Sequence, residues 1–128
     1  MEEIEKKIYY HDTDCGGVVY YANYLKYFEE ARTELLFSRG LDLKYLSENS
    51  TWFVVKKVDI DYKAPARYAD KLIISSKITD LKNVSLEFSQ DIKRSGQLLV
   101  FAKTKLVCVD GNFRPKPIPE DIINILNK

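Results

Sequence analysis

Val84-Ser85-Leu86-Glu87-Phe88-Ser89-Gln90-Asp91-Ile92-Lys93 sets Val84, Leu86, Phe88 and Ile92 against Ser85, Glu87, Ser89, Asp91 and Lys93. Successive side chains of a strand point to opposite faces, so this alternation predicts an antiparallel strand with one face buried and one wet. The pattern spreads in both directions. Trp52, Val54, Val58, Ile60 and Tyr62 share one expected face against Lys57, Asp59, Asp61 and Lys63. Leu72, Ile74 and Ile78 alternate with Lys71 and Lys77, and Leu98, Val100, Ala102, Leu106 and Cys108 close the series. The connections are short: residues 80–83 join two strands, Arg94-Ser95-Gly96-Gln97 is a hairpin signal, Ala64-Pro65-Ala66 interrupts the sheet, and Asp110-Gly111-Asn112 ends the last strand.

Upstream the period changes. Residues 4–11 read as a first strand, and residues 12–17 break it with two Asp, a Thr and Gly16-Gly17. Leu25, Phe28, Ala31 and Leu35, with Tyr21 and Tyr24 beside them, then recur at spacings of three and four, which predicts one apolar face of a helix. Asn23 is the expected N-cap and Gly40 the expected stop, with a turn or single helical turn over 41–50. Pro115, Pro117 and Pro119 lead into a short helix over 120–127. With no repeat, linker or low-complexity tract, residues 1–128 read as a single domain: an α+β layer of one long helix on a five-stranded antiparallel sheet. Such a sheet is too small to hide the whole helix and both of its edges, which predicts a homo-oligomer.

The totals exclude several classes. Lys and Arg number 20 against 19 Asp and Glu, so there is no basic excess to hold a nucleic acid. The longest aliphatic stretch, residues 98–102, is far short of the roughly 20 residues that span a bilayer, so membrane insertion is not expected. The charged beginning Met-Glu-Glu-Ile-Glu-Lys-Lys is not a secretory signal, and Cys15 and Cys108 are too few for a disulfide framework. The expectation is a cytoplasmic protein with two free thiols.

Chemistry concentrates in Tyr10-His11-Asp12-Thr13-Asp14-Cys15-Gly16-Gly17, which ends a strand, turns through glycines and opens a helix. That arrangement aims free backbone N–H groups at a pocket, where they can hold a carbonyl oxygen as it gains charge. A carboxylate a few residues earlier can attack that carbonyl or activate a water. On the residues alone, the favoured reading is that Asp12 and Asp14 hydrogen-bond a tight loop, since Asp is common in loops. Metal ligation by His11, Asp12, Asp14 and Cys15 is disfavoured, because neighbouring side chains of a strand diverge and no second cluster completes a shell. A Cys15–His11 pair or a serine triad would have to use the single histidine, and no Gly-x-Ser-x-Gly elbow occurs. Tyr9, Tyr10, Tyr20, Tyr21, Tyr24 and Tyr27 can line an acyl channel or serve the core or a subunit interface. Glu29, Glu30 and Arg32 read as a solvated helix face, while Arg67, Lys93 and Arg94 are either phosphate contacts or plain surface.

The run Tyr10-His11-Asp12-Thr13-Asp14-Cys15-Gly16-Gly17-Val18-Val19-Tyr20-Tyr21-Ala22-Asn23-Tyr24 resembles the active-site signature of the 4-hydroxybenzoyl-CoA thioesterase group, and within it the YbgC-like branch of small bacterial acyl-CoA thioesterases. The resemblance continues through Phe28-Glu29-Glu30-Ala31-Arg32-Thr33-Glu34, Phe53-Val54-Val55-Lys56-Lys57 and Tyr62-Lys63-Ala64-Pro65-Ala66-Arg67-Tyr68, leaving only the C-terminal tail outside it. It implies a hot-dog fold, with the sheet wrapped around the long helix, and dimers or tetramers with sites at subunit interfaces. It further implies an acyl-CoA thioesterase that uses no cofactor. By position Asp14 is then the catalytic carboxylate, as general base or nucleophile, and the backbone N–H near Tyr21 polarises the thioester carbonyl, while Asp12 holds the loop. Gly17, Val18, Arg67 and Arg94 are the candidates for substrate contact. Many members of that branch carry His where this chain has Tyr21; the tyrosine keeps the backbone donor but not that acid-base side chain. The competing class is a non-catalytic module that binds acyl-CoA or acyl carrier protein. A hydratase of the same fold is disfavoured, because the usual catalytic His near the helix start is absent.

Overall fold

The computed structural model describes residues 2–128. Five antiparallel strands, β1 (Glu2–Lys7), β2 (Trp52–Tyr62), β3 (Lys71–Leu81), β4 (Ser85–Arg94) and β5 (Gln97–Val109), form one sheet in the order β1-β3-β4-β5-β2. Helix α1 (Asn23–Ser38) lies on one face, with α2 (Leu43–Glu48) before β2 and α3 (Glu120–Leu126) at the C-terminal end. The α+β expectation of one long helix on a five-stranded antiparallel sheet holds.

Opposed residues of an antiparallel pair share a face, so the register sorts the side chains. Ile74 pairs with Ile92 and Ile92 with Val100, while Leu86 pairs with Leu106; all turn towards α1, and all are buried. Around them, Ile8, Tyr24, Phe28, Ala31, Leu72 and Leu99 form one core cluster, and Leu35, Leu86, Phe88, Leu106, Cys108, Ile118 and Ile122 a second. Truncating Phe28, which is 1% exposed, to Ala costs about 3–5 kcal/mol by the usual measure for a buried aromatic.

Three register shifts interrupt the strict alternation read from the sequence, one of them in β3 between Ile78 and Asp80. In β2 the register shifts between Val55 and Lys57, so Phe53 and Val55 oppose Cys108 and Leu106, and Val58, Ile60 and Tyr62 oppose Thr104, Ala102 and Val100. Trp52 and Val54 therefore lie on the face opposite to Val58, Ile60 and Tyr62, contrary to the single face expected for all five. In β5 the shift at the β4 hairpin places Leu98 opposite Lys93 on the outer face, and Leu99 with Val100 fills the core instead. The hairpin itself matches its signal: Ser95 and Gly96 both have positive φ, as the tight turn between twisted strands requires.

The first strand is shorter than read. It ends at Lys7, and Tyr10–Asp12 form a 3-10 turn held by the Tyr9 N–H donating to Asp12 Oδ2 at 2.8 Å. The buried face of α1 is Tyr24, Tyr27, Phe28, Ala31, Leu35 and Leu36, so Leu25 and Tyr21, read as part of that face, flank it and are exposed. Asn23 is the first helical residue rather than the cap, because its side-chain amide donates at 2.9 Å to the Asp12 carbonyl. Gly40, at φ 81°, ends α1 as expected: its N–H bonds the Phe37 carbonyl and the Leu41 N–H bonds that of Leu36.

Candidate active site

The site is built where two irregular segments cross. The first is a tight turn in which the Asp14 N–H donates to the Val18 carbonyl at 2.9 Å and the Gly17 N–H to the Asp14 carbonyl at 3.1 Å, with Gly17 at φ 81°. The second is the break after β2, residues 63–67, where the chain leaves the sheet because Pro65 cannot continue a ladder. The Val19 N–H donates to the Ala66 carbonyl at 2.8 Å, Val18 bridges to Arg67, and the Ala66 N–H donates to the Tyr24 hydroxyl at 3.0 Å. The turn, the break and the first turn of α1 are thereby tied together.

They enclose an open pocket of about 320 Å³ lined by Asp14, Val18, Val19, Tyr21, Tyr24, Tyr62, Lys63, Ala64 and Pro65. Asp14 Oδ1 accepts the Gly16 N–H at 2.7 Å, while Oδ2 accepts no hydrogen bond among the described residues. A side chain at Gly16 would crowd this carboxylate, since a Cβ there falls 3.1 Å from Oδ1. The Tyr21 N–H, just ahead of α1, also donates to no acceptor among the described residues. Helix starts leave such donors unsatisfied and carry partial positive charge.

Asp12 is differently employed. It is buried, its carboxylate accepts the Tyr9 N–H, and its carbonyl accepts both the Tyr20 N–H and the Asn23 amide. Burial, together with the neighbouring Asp12, pushes the Tyr27 phenol well above its ordinary range, and burial raises Tyr24 and Tyr62 as well. These phenols stay neutral at physiological pH. Burial likewise raises the Cys108 thiol, whereas Cys15 is exposed on the turn. His11, Asp12, Asp14 and Cys15 do not converge, and no group of three or more metal-ligating side chains occurs among the described residues.

Of the residues singled out from the sequence, the pocket brings together Asp14, Val18, Tyr21 and Tyr24. Gly17 shapes the turn from outside the pocket wall, and Arg67 is exposed beside Val18. Arg94 is occupied elsewhere: its guanidinium bonds Asp70 at 2.8 Å, the Pro65 carbonyl at 3.3 Å and Gln97 at 3.2 Å, bracing the 63–70 segment from behind. Tyr62 and Lys63 are wall residues that the reading of individual residues did not nominate. Their signal was position, immediately before the proline break.

Comparison with known proteins identifies the family. The family model of the thioesterase-like superfamily matches residues 9–126. The chain belongs to that superfamily. It is 40% identical over 119 residues to the acyl-CoA thioester hydrolase YbgC of Escherichia coli O6:H1, covering 91% of this chain and 89% of that protein. It is 38% identical over 118 residues to the acyl-CoA thioesterase YbgC of Haemophilus influenzae, covering 91% and 87%. Among solved structures, a probable thioesterase from Bartonella henselae superposes with a TM-score of 0.89 at 30% identity, over 92% of this chain and 98% of that one. The α+β sheet and helix are thus the hot-dog fold of thioesterases.

Proposed function

We propose that this thioester hydrolase cleaves acyl-CoA to free acid and CoA through Asp14, with the Tyr21 N–H as oxyanion donor. The observation that carries the reading is the shared pocket: a carboxylate with one oxygen held by Gly16 and the other unengaged, and an unbonded N–H at the helix start. With the thioester carbonyl between them, Asp14 takes a proton from water as that water attacks the carbonyl carbon. The Tyr21 N–H holds the resulting oxyanion, the intermediate collapses by breaking the C–S bond, and the CoA sulfur leaves with a proton. Lys63, exposed in the pocket wall, and Arg67, exposed and bridged to Val18, are the proposed contacts for CoA phosphates, a role for which Arg94, engaged by Asp70, is less free.

An acyl carrier protein presents the same pantetheine thioester, so the chemistry extends to that donor. Sheet edge β2 carries exposed Val55, Val58 and Tyr62 on its helix-side face, which supports burial against a second copy in a dimer or tetramer. No helix among the described residues is long and apolar enough to cross a membrane, and two free thiols suit a reducing, cytoplasmic setting.

The test is release of free CoA thiol. Asp14→Asn is expected to fold and assemble normally and to lose roughly 10²–10⁴-fold in turnover, the usual range for one acid-base group. Asp14→Asn with native turnover would sink the reading and leave a pocket that only binds acyl thioesters.

A further inference from the structure

Tyr62 is the last residue of β2 and pairs with Val100, so it takes the face that α1 covers. Its ring stands perpendicular to Tyr21, at 90° with centroids 6.3 Å apart, and tilted against Tyr24 at 5.7 Å. Tyr24 is itself immobilised, being buried and bonded through its hydroxyl to the Ala66 N–H. Tyr62, half exposed, is thus flanked by a ring on each of two sides, of which only Tyr24 is buried, while its own hydroxyl makes no hydrogen bond among the described residues. The ring, not the phenol oxygen, is what the position contributes. Beside the three tyrosines, Val18, Val19, Ala64 and Pro65 form the short or rigid part of the wall, and Asp14 and the exposed Lys63 complete it. At about 320 Å³ the pocket lies near the lower end of ligand sites, which run from about 300 to 1,000 Å³.

We propose that Tyr62 is a specificity-determining residue, closing the acyl side of the Asp14 pocket so that short or planar acyl groups enter and long alkyl chains are excluded. The inference rests on the reading of Asp14 and Tyr21 as the reacting groups, since these fix where the thioester carbonyl sits. From that point the acyl group runs against the tyrosine wall. A planar group can lie edge-on or face-on to rings already held at right angles. A long alkyl chain would have to displace Tyr62 and break its contacts with both Tyr21 and Tyr24.

The experiment measures kcat/KM for butanoyl-, benzoyl- and octanoyl-CoA with the wild-type protein, Tyr62→Phe, Tyr62→Leu, Tyr62→Ala and Asp14→Asn. Tyr62→Ala is expected to raise the octanoyl-to-benzoyl ratio at least about tenfold, the discrimination that a single methylene commands in an apolar pocket. Tyr62→Phe keeps the wild-type ratio, because the ring remains. Tyr62→Leu, which retains apolar bulk for folding, shifts the ratio in the same direction as Ala. If Tyr62→Ala and Tyr62→Leu scale all three substrates equally, or if Tyr62→Phe shifts the ratio as far as Ala does, the proposal is overturned. The two readings fail separately. An inactive Asp14→Asn with unmoved Tyr62 ratios removes only the specificity role, whereas a fully active Asp14→Asn removes the assignment of Asp14.

Discussion

Gly16 and Gly17 are adjacent, yet the structure gives them different work, and alanine at each should separate activity from stability. At Gly16 the backbone is in a region open to any residue, so the obstacle to a side chain is the Cβ contact with Asp14 Oδ1 at 3.1 Å. The carboxylate must retreat by a few tenths of an ångström, and it is already anchored by the Gly16 N–H at 2.7 Å. Misplacing a reacting group by about 1 Å costs about 10²-fold, so a shift of this size should lower kcat/KM about three- to tenfold. Folding stability should change by less than about 1 kcal/mol, because alanine also restricts the unfolded chain. At Gly17 the opposite holds. A Cβ meets nothing within 4 Å, but φ is 81°, which costs an L-residue about 1–2 kcal/mol. Urea unfolding and steady-state thiol release on the same preparations read both quantities. If Gly16→Ala keeps full kcat/KM, or loses activity only as far as Gly17→Ala does, the claim that this turn places the Asp14 carboxylate is refuted.

Tyr21→Phe should retain most of the activity, because the contribution assigned to Tyr21 is its backbone N–H; a tenfold loss in kcat would instead assign the phenol a proton-transfer role. Tyr21→His places at this position the imidazole that the family resemblance implies, and a large gain in kcat would show that an acid-base side chain is useful there. Lys63→Ala with Arg67→Ala should raise KM for acyl-CoA and weaken its salt dependence, while leaving KM for the corresponding N-acetylcysteamine thioester, which has no phosphates, unchanged. Equal KM changes on both substrates would remove these residues from CoA binding.

How far the sequence could be read follows from which interactions are local. The alternation through β4 survives intact because that strand contributes consecutive residues to both of its pairings, the extra residues falling in β3 and β5, and keeps a buried face along its length. Edge strand β2 has a partner on one side only, and its bulge at Val55–Lys57 is invisible to a pattern of period two, which assigned Trp52 and Val54 to the wrong face. Asn23 has a good cap residue's chemistry, but its amide serves the Asp12 carbonyl, eleven residues earlier, a tertiary contact that no capping rule anticipates. The turn around Asp14 was legible, since its residues are contiguous and two glycines mark it. The opposite wall was harder: Tyr62, Lys63 and Pro65 come within reach of Asp14 only because the Val19 N–H meets the Ala66 carbonyl. Arg94 looked like an anion contact by charge alone, until its distance to Asp70 showed an internal partner.

The arrangement of the Asp14 carboxylate also bears on which form of the proposed catalytic role it would take, activation of water or direct attack on the thioester. With Oδ1 fixed by the Gly16 N–H, only Oδ2 is free to act in either role. Direct attack would form a mixed anhydride, and Oδ2 would have to close to bonding distance of the carbonyl carbon. That movement works against the 2.7 Å hydrogen bond and against a turn closed by the Asp14–Val18 and Gly17–Asp14 backbone bonds. A water bridging Oδ2 and the carbonyl needs no such displacement, so general-base catalysis is the expected route, with the Tyr21 N–H stabilising the oxyanion in both cases. Single-turnover hydrolysis in ¹⁸O-water, with enzyme in excess, separates them. A base mechanism puts the label in the released acid in the first turnover. If water instead opens an anhydride at the enzyme's own carbonyl, the label enters Asp14 and the acid stays light. Mass-spectrometric label in the peptide containing Asp14 would therefore overturn the preference for water activation. Label confined to the acid agrees with it, and Gly16→Ala then provides the sharper comparison. A carboxylate that only positions water tolerates a shift of a few tenths of an ångström with a modest loss, whereas one that must reach bonding distance along a single trajectory does not.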